Sequence, residues 1–301
     1  MSWQLRKINL KSMLKSDYYN QTPKHSLIYW VIVPVILFWL TVNYIIGSLR
    51  HRPSWLENGQ KTAGVPSTVL PYTRVFNALP KSDHGYVTLW FDDIWTSQYL
   101  NAYPVLARYN LKATLAVPAS MIDKSGRMNL TQVQLLQDKG WEITNHSNVH
   151  DCGMHLWEPA KIKGDLSEAK VALWKDKLTS DIFVSPCGVT SPVLDAEVRQ
   201  LFDAFRSAEP GYNDLVSLDR FDLRVKNIDY KTTWDEIKSW IDYASTNNKW
   251  LILVFHKVGE TENELDAERY NITQENFDKT VVYLQTTGVA VVTPSQIFLS
   301  L

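Results

Sequence analysis

The sequence predicts an α/β domain, a distorted (β/α) barrel of about seven units, preceded by one transmembrane helix. Two observations predict the barrel. Short β-prone runs alternate with helix-like patterns from Tyr86 to Leu301, and acidic or histidine residues directly follow several of these runs. Such alternation is typical of a parallel sheet covered by helices, so an open doubly wound sheet is the alternative. The third observation is an uncharged apolar run from Leu27 to Ile46.

The apolar run has the length of a membrane-spanning helix, since about 20 residues cross the hydrocarbon core. A cleaved signal peptide is the rival interpretation, but the run follows residues 1–26, which are polar, and no small-x-small cleavage site comes after it. We therefore predict a retained anchor at residues 27–47. More basic residues precede the run than follow it nearby, which places residues 1–26 in the cytoplasm and the remainder outside.

Residues 48–84 are rich in Pro and Gly and show no periodicity, so they predict a tether, and the globular domain is predicted at 85–301. The net charge of −1 argues against nucleic acid as the main partner. Twelve Trp and 14 Tyr residues provide flat apolar rings that stack on sugars, although most of them belong in a core.

The strands of the domain are predicted from apolar, β-branched runs that end at a polar residue, Pro or Gly. These runs are Tyr86 to Phe91, Lys112 to Val117, Trp141 to Asn145, Asp181 to Ser185, Phe205 to Ala208, Leu223 to Ile228, Trp250 to Phe255 and Val289 to Val292. The helices are predicted from apolar residues at helical spacing between the strands. They lie around Tyr99 to Ala107, at Thr131 to Lys139, Pro159 to Leu178, after Pro192, at Trp234 to Ser245 and at Thr273 to Thr286.

Five polar side chains follow strands and should gather on one face, because the carboxyl ends of parallel strands share one edge. They are Asp92, Asp93, His146, His150 and His256. Adjacent carboxylates repel each other unless a cation or a proton lies between them. The alternative for the Asp pair is a turn that closes the strand.

His146 and His150 are separated by three residues, which on one helical turn points both imidazoles to the same side. With Asp93 they form a two-His, one-carboxylate set that leaves positions on a divalent metal open for water and substrate. We expect zinc, with cobalt, nickel or manganese as alternatives. A chance His-x-x-x-His spacing is the competing interpretation.

These residues resemble the metal-dependent polysaccharide deacetylases, or family-four carbohydrate esterases, from about Tyr86 to Phe298. The Trp-Phe-Asp-Asp run at 90–93 is similar to the first motif of that family, Thr-Phe-Asp-Asp. The His-Ser-Asn-Val-His run at 146–150 matches the second motif, and the apolar strand that ends in His256 matches the last.

The resemblance implies a role for each matched residue. Asp92 would be the base, Asp93, His146 and His150 the metal ligands, and His256 the acid. Amide hydrolysis also requires that the negative charge on the carbonyl oxygen be stabilised, and the metal and the backbone N–H of Cys187 would hold this oxyanion. Substrate-binding candidates beside these positions are Pro186 and Trp95.

The chain departs from the family pattern at three places. The third motif, Arg-x-Pro-x-Gly, reads Val-Ser-Pro-Cys-Gly at 184–188, so the Arg that helps to orient the base is missing. A branch that acts on exported poly-N-acetylglucosamine also lacks this Arg, and the chain looks closer to that branch. Ile94 stands where the family usually has Gly. The fourth motif has only candidate positions: Asp219, Asp222 and Asp229.

The sequence thus predicts a membrane-anchored, metal-dependent hydrolase acting on carbon–nitrogen bonds, a deacetylase of N-acetylated glycans, with O-deacetylation as a near alternative. A non-catalytic glycan-binding domain is the hypothesis from another class. Cys152 and Cys187 flank the predicted site; outside the cytoplasm they could form a disulfide, and two free thiols are the alternative.

Overall fold

The structure, a computed structural model, describes residues 78–259 and 270–301. The predicted cytoplasmic segment, the predicted anchor at 27–47 and residues 48–77 of the predicted tether lie outside the described residues. Among the helices of the described ranges, none has the length and apolar character needed to cross a membrane.

Seven parallel strands form a closed barrel, because each strand pairs with the next and the seventh pairs with the first. They are β1 Tyr86–Asp92, β2 Thr114–Val117, β3 Glu142–Asn145, β4 Ile182–Val184, β5 Ala204–Pro210, β6 Leu223–Asn227 and β7 Trp250–Phe255. This closure confirms the predicted barrel and excludes the open doubly wound sheet.

Within residues 78–259 and 270–301, three further strands lie outside the ring of seven. The two-residue strands β8 Lys257–Val258 and β9 Asn271–Ile272 pair with each other. The last strand, β10 Ala290–Val291, pairs with the beginning of β1, whereas β2 pairs with its end. The last of the predicted strands therefore pairs with the beginning of β1 and is not one of the seven barrel strands.

Helices connect most of the barrel strands, as predicted. The connecting helices are α1 Tyr103–Arg108, α2 Leu130–Asp138, α3 Pro159–Lys175, α4 Pro192–Leu201 and α5 Trp234–Thr246, and two more, α6 Gln274–Leu284 and α7 Pro294–Phe298, come after β7. Local sequence fixes several starts: Asn129 with Gln132, and Thr233 with Glu236, form capping boxes that satisfy exposed N–H groups in the first turns of α2 and α5.

The two faces of β1 are both buried, which explains its continuous apolar sequence. Leu89 and Phe91 belong to the layer between barrel and helices, where Phe91 stacks on Trp141 and Phe255. Trp90 belongs to a second apolar cluster inside the barrel. Because side chains alternate along a strand, Asp92 shares the inward direction of Trp90. The strand therefore delivers Asp92 to the interior at the carboxyl end of the barrel.

Candidate active site and metal centre

The turn after β1 separates the two adjacent carboxylates. Asp93 and Ile94 both have positive φ, 74° and 51°. A β-branched residue rarely adopts this left-handed conformation, which costs on the order of 1–3 kcal/mol unless its surroundings enforce it. Neighbouring contacts do so here: Arg127 Nη1 donates to the Asp93 carbonyl at 2.8 Å, and the Met128 N–H donates to the Ile94 carbonyl at 2.7 Å. Glycine suits position 94 because it adopts positive φ without strain. In this chain, the two hydrogen bonds hold Ile94 in that conformation instead.

The loop that carries His146 and His150 is not the helical turn that we predicted from their spacing. Residues 146–150 have no helical assignment, and Ser147 and His150 have φ of 65° and 54°. Local hydrogen bonds shape the loop: the Ser147 N–H donates to Asn145 Oδ1, and the His150 N–H donates to Ser147 Oγ, each at 2.9 Å.

The side chain of Asp165, from α3, also supports this loop. Its carboxylate accepts the N–H groups of Asn148 at 2.9 Å and Val149 at 3.2 Å. Burial raises the pKa of Asp165, although these two hydrogen bonds act in the opposite direction. The buried carboxylate of Asp165 on α3 thus stabilises the strained loop at residues 146–150.

The three predicted metal ligands converge. Asp93 Oδ1 lies 3.4 Å from His146 Nε2 and 3.0 Å from His150 Nε2, and the two Nε2 atoms are 3.2 Å apart. His146 Nδ1 lies 2.8 Å from the carbonyl oxygen of Val184, to which it donates when Nε2 is the ligand atom. A hydrogen bond of this kind fixes the tautomer that presents Nε2 to a metal.

The electrostatics of the cluster favour a cation. Burial alone would raise the pKa of Asp93, but the adjacent imidazoles of His146 and His150 hold this pKa well below its ordinary value. The pKa of His150 is raised: burial lowers it, but the hydrogen bond and charge of Asp93 prevail. One carboxylate and two imidazoles within 4.8 Å of one another form a donor set that fits a divalent metal.

Asp92 is held by a residue that the sequence analysis missed. Arg206, in β5, donates from Nη2 to Asp92 Oδ2 at 2.5 Å, and both side chains are buried. Asp92 Oδ1 is also buried and makes no hydrogen bond within 78–259 and 270–301. The only sequence signal is an arginine inside a run of apolar and small residues, Ala-Phe-Arg-Ser-Ala at 204–208.

His256 follows β7 and completes the group. Its Nε2 lies 3.9 Å from Asp92 Oδ2 and 3.9 Å from Asp93 Oδ2. Burial lowers the pKa of His256, and the charges of Asp92 and Asp93 oppose this effect. The ring of Tyr270 stacks on the imidazole at 4.8 Å. In the described part of the chain, the buried Nδ1 of His256 has no hydrogen-bond partner.

The three aspartates considered for a fourth motif make local contacts. Asp219 Oδ1 accepts the N–H of Phe221, and Asp222 pairs with Arg224 at 2.7 Å. Asp229 accepts hydrogen bonds from residues 231 and 232. These contacts are turns and a surface ion pair, so none of the three aspartates serves His256 through them.

A cavity of about 430 Å³ lies over these groups. Its walls include the five predicted catalytic and metal-binding residues and Cys187, together with four residues that the sequence analysis did not single out: Arg127, Arg206, Asn227 and Tyr270. The other two substrate-binding candidates, Pro186 and Trp95, are not part of the cavity wall in the described ranges. The Trp95 ring instead lies between the guanidinium of Arg127, at 3.2 Å, and the ammonium of Lys257, at 4.5 Å.

Cys152 and Cys187 form a disulfide at the cavity wall, which resolves the two alternatives that the sequence left open. The bond links the loop after His150 to the short 3₁₀ turn Pro186–Gly188. Cys187 has a φ of 53°, so its backbone is also left-handed. The disulfide therefore couples the loop of the candidate metal ligands His146 and His150 to the segment predicted to hold the oxyanion.

Comparisons with known proteins agree with this geometry. Residues 80–201 match the model of the family described as polysaccharide deacetylase. A curated relative, the putative polysaccharide deacetylase YxkH of Bacillus subtilis (strain 168), is 30% identical over 97 residues. That match covers 32% of this chain and 33% of the relative, so the two share about a third of their lengths.

Two solved structures share the fold. The Xyl-CE4 domain of a multidomain xylanase from the hindgut metagenome of Trinervitermes trinervoides aligns with a TM-score of 0.52 and 16% identity, over 72% of this chain and 91% of that one. A T48 deacetylase with substrate aligns with a TM-score of 0.51 and 16% identity, over 72% and 92% of the two chains.

The parallel barrel carries at its carboxyl end an Asp-His-His cluster that could hold a metal ion. Within residues 80–201, this chain is similar to the polysaccharide deacetylase family.

Proposed function

We propose that this protein is a membrane-anchored, metal-dependent deacetylase that hydrolyses N-acetyl groups of an extracytoplasmic polysaccharide. The observation that carries the proposal is the Asp93, His146 and His150 cluster directly beside the buried carboxylate of Asp92. These are the residues to which the family resemblance assigns the roles of metal ligand and base. Hydrolysis of O-acetyl groups by the same site is the alternative.

The metal would be held by Asp93, His146 and His150, with zinc as the first candidate and cobalt, nickel or manganese as alternatives. When bound, it acidifies a water molecule and polarises the acetyl carbonyl. The chain's own groups do the rest. Asp92 takes the proton of the attacking water, and the Cys187 N–H donates to the carbonyl oxygen. His256, in its protonated form, gives its Nε2 proton to the amine as the carbon–nitrogen bond breaks and becomes neutral.

The proposed location rests on two features. The apolar run at 27–47, with its excess of preceding basic residues, supports an anchor with a cytoplasmic N-terminus. The Cys152–Cys187 disulfide supports an extracytoplasmic domain, since disulfides persist in oxidising compartments. The likeness to the branch that acts on poly-N-acetylglucosamine makes a polymer of N-acetylglucosamine the first substrate to test.

The test is acetate release from a panel of acetylated glycans by the full chain in detergent, with the metal content measured on the same samples. We expect acetate from N-acetylglucosamine oligomers in the wild type and none after His146→Ala. His155→Ala is the matched control, because His155 lies nearby but outside the cluster and is only partly buried.

Two results would contradict the proposal. Release from acetylated xylan alone would establish the O-acetyl alternative. Glycan binding without release of acetate from any substrate in the panel, in a fully metallated wild type, would favour the non-catalytic hypothesis.

A further inference from the structure

The pairing of β4 with β5 places Arg206 directly opposite Val184. The two residues are Cα partners in the parallel register, and Leu223 of β6 is the partner of Arg206 on the other side. Directly paired residues of neighbouring strands point to the same face of a sheet. Val184 and Leu223 belong to the apolar cluster inside the barrel, and the Arg206 guanidinium lies 5.0 Å from the centre of the Trp90 ring in that cluster. Arg206 therefore enters the barrel interior from β5 at the height of Val184.

The guanidinium of Arg206 is fixed by three contacts. Nη2 donates to Asp92 Oδ2, Nη1 donates to the Ser207 carbonyl at 3.2 Å, and the Trp90 ring lies against the guanidinium. The Arg206 side chain is 2% exposed and that of Asp92 is 7% exposed. Because an isolated buried charge is costly, each of these side chains depends on the other.

The single contact to Oδ2 has a consequence for the other carboxylate oxygen. Oδ1 of Asp92 is buried and accepts no hydrogen bond within the described ranges, and Asp92 lines the cavity. Arg206 thus restrains the carboxylate through one oxygen and leaves the second available to accept a proton.

We propose that Arg206 is the positioning residue for Asp92. Strand β5 thus supplies the cation that the family pattern places at position 184 on β4, where this chain has Val184. This proposal rests on the proposed function, because it assigns Arg206 to the base of that reaction. It also makes a geometric claim: since positions 184 and 206 face the same interior at the same height, an arginine at 184 can take over the contact when 206 is apolar.

The experiment compares variants of the full chain in detergent: Arg206→Met, Arg206→Lys, Arg206→Ala, Arg206→Val and the double swap Val184→Arg/Arg206→Val. Arg220→Met is the matched control, because Arg220 also lies over an aromatic ring and donates to a carbonyl, both of Phe298. Each variant is assayed for kcat, KM, metal content and thermal unfolding.

We expect Arg206→Met to lose kcat by about 10²-fold or more, the lower part of the range for loss of a general base, with KM and metal content near those of the wild type. Added guanidinium should restore part of the kcat of Arg206→Ala but not change that of Asp92→Asn. The kcat of the double swap should be about tenfold higher than that of Arg206→Val, which recovers part of the rate lost with a general base. Arg220→Met should match the wild type.

The proposal is overturned by a folded, metallated Arg206→Met with kcat within about twofold of the wild type, far less than loss of a working base produces. It is also overturned if guanidinium and the double swap both fail to raise kcat in folded, metallated protein. If Arg206→Met does not fold, the kcat values of Arg206→Lys and of the double swap decide whether Arg206 positions Asp92. Absence of acetate release from the wild type contradicts the proposed function instead. In that case, a crystal structure of an Arg206 variant with the Asp92 carboxylate unmoved overturns the positioning role.

Discussion

Replacement of both cysteines by alanine tests how much the Cys152–Cys187 disulfide contributes. The bond closes a loop between residues 35 positions apart. Loss of the constraint that a cross-link of this length places on the unfolded chain corresponds to roughly 4 kcal/mol of stability. For a domain of this size, 1 kcal/mol shifts the melting temperature by about 2–4 °C, so we expect a decrease of about 8–16 °C.

Activity should fall as well. The disulfide joins the loop after His150 to the segment that presents the Cys187 N–H, so its loss frees the two segments to move independently. We expect a lower kcat while the metal content stays near that of the wild type, because the hydrogen bonds that shape residues 147–150 do not involve the disulfide.

The assay is thermal unfolding of the full chain, with and without a dithiol reductant, together with acetate release. Reduced wild type should melt near the double alanine variant, and the reductant should have no effect on that variant. A difference of less than about 2 °C between oxidised wild type and the double variant would refute the reasoning, since it corresponds to under about 1 kcal/mol.

Three further predictions concern the site and the domain boundary. Asp92→Asn should keep its metal yet lose rate by ~10²–10⁴, whereas Asp93→Asn should bind metal weakly and regain activity with excess metal; rates and metal content of the two variants check this difference. Asp165→Asn should weaken metal binding, because one loop N–H loses its acceptor at a cost of about 1–3 kcal/mol. Glu168→Gln, which changes a contact with the Asn148 side chain and no backbone N–H of the loop, should not, and competition with a chelator measures both. Residues 84–301 alone should be soluble and folded, and aggregation where the full chain in detergent is well behaved would count against this boundary.

The barrel could be predicted because most of its strands are buried on both faces and therefore read as apolar runs. The position of the last strand could not, since the pairing partner of β10 is a tertiary property that local pattern does not encode. The β8–β9 pair was missed for a related reason: two-residue strands have no periodicity to detect.

The site residues that directly follow strands were predictable in the same way, because strand ends converge in any parallel barrel. The conformation of the loop at 146–150, with its positive φ angles, could not be predicted, because it depends on Asp165, a residue of the following helix. The contact of Arg206 with Asp92 could not be predicted from the sequence, because it follows from strand register and the two residues are 114 positions apart in the chain.

The central claim is that Asp93, His146 and His150 hold one divalent metal on which hydrolysis depends. The most direct measurement is a zinc titration of the full chain after removal of all metal by a chelator, with acetate release followed at each addition. We predict that activity begins near zero, rises in proportion to zinc and reaches a plateau at about one equivalent, as expected for a single three-residue site. Full acetate release by the metal-free chain would contradict the account, as would a saturable zinc site that persists in a folded His146→Ala/His150→Ala variant.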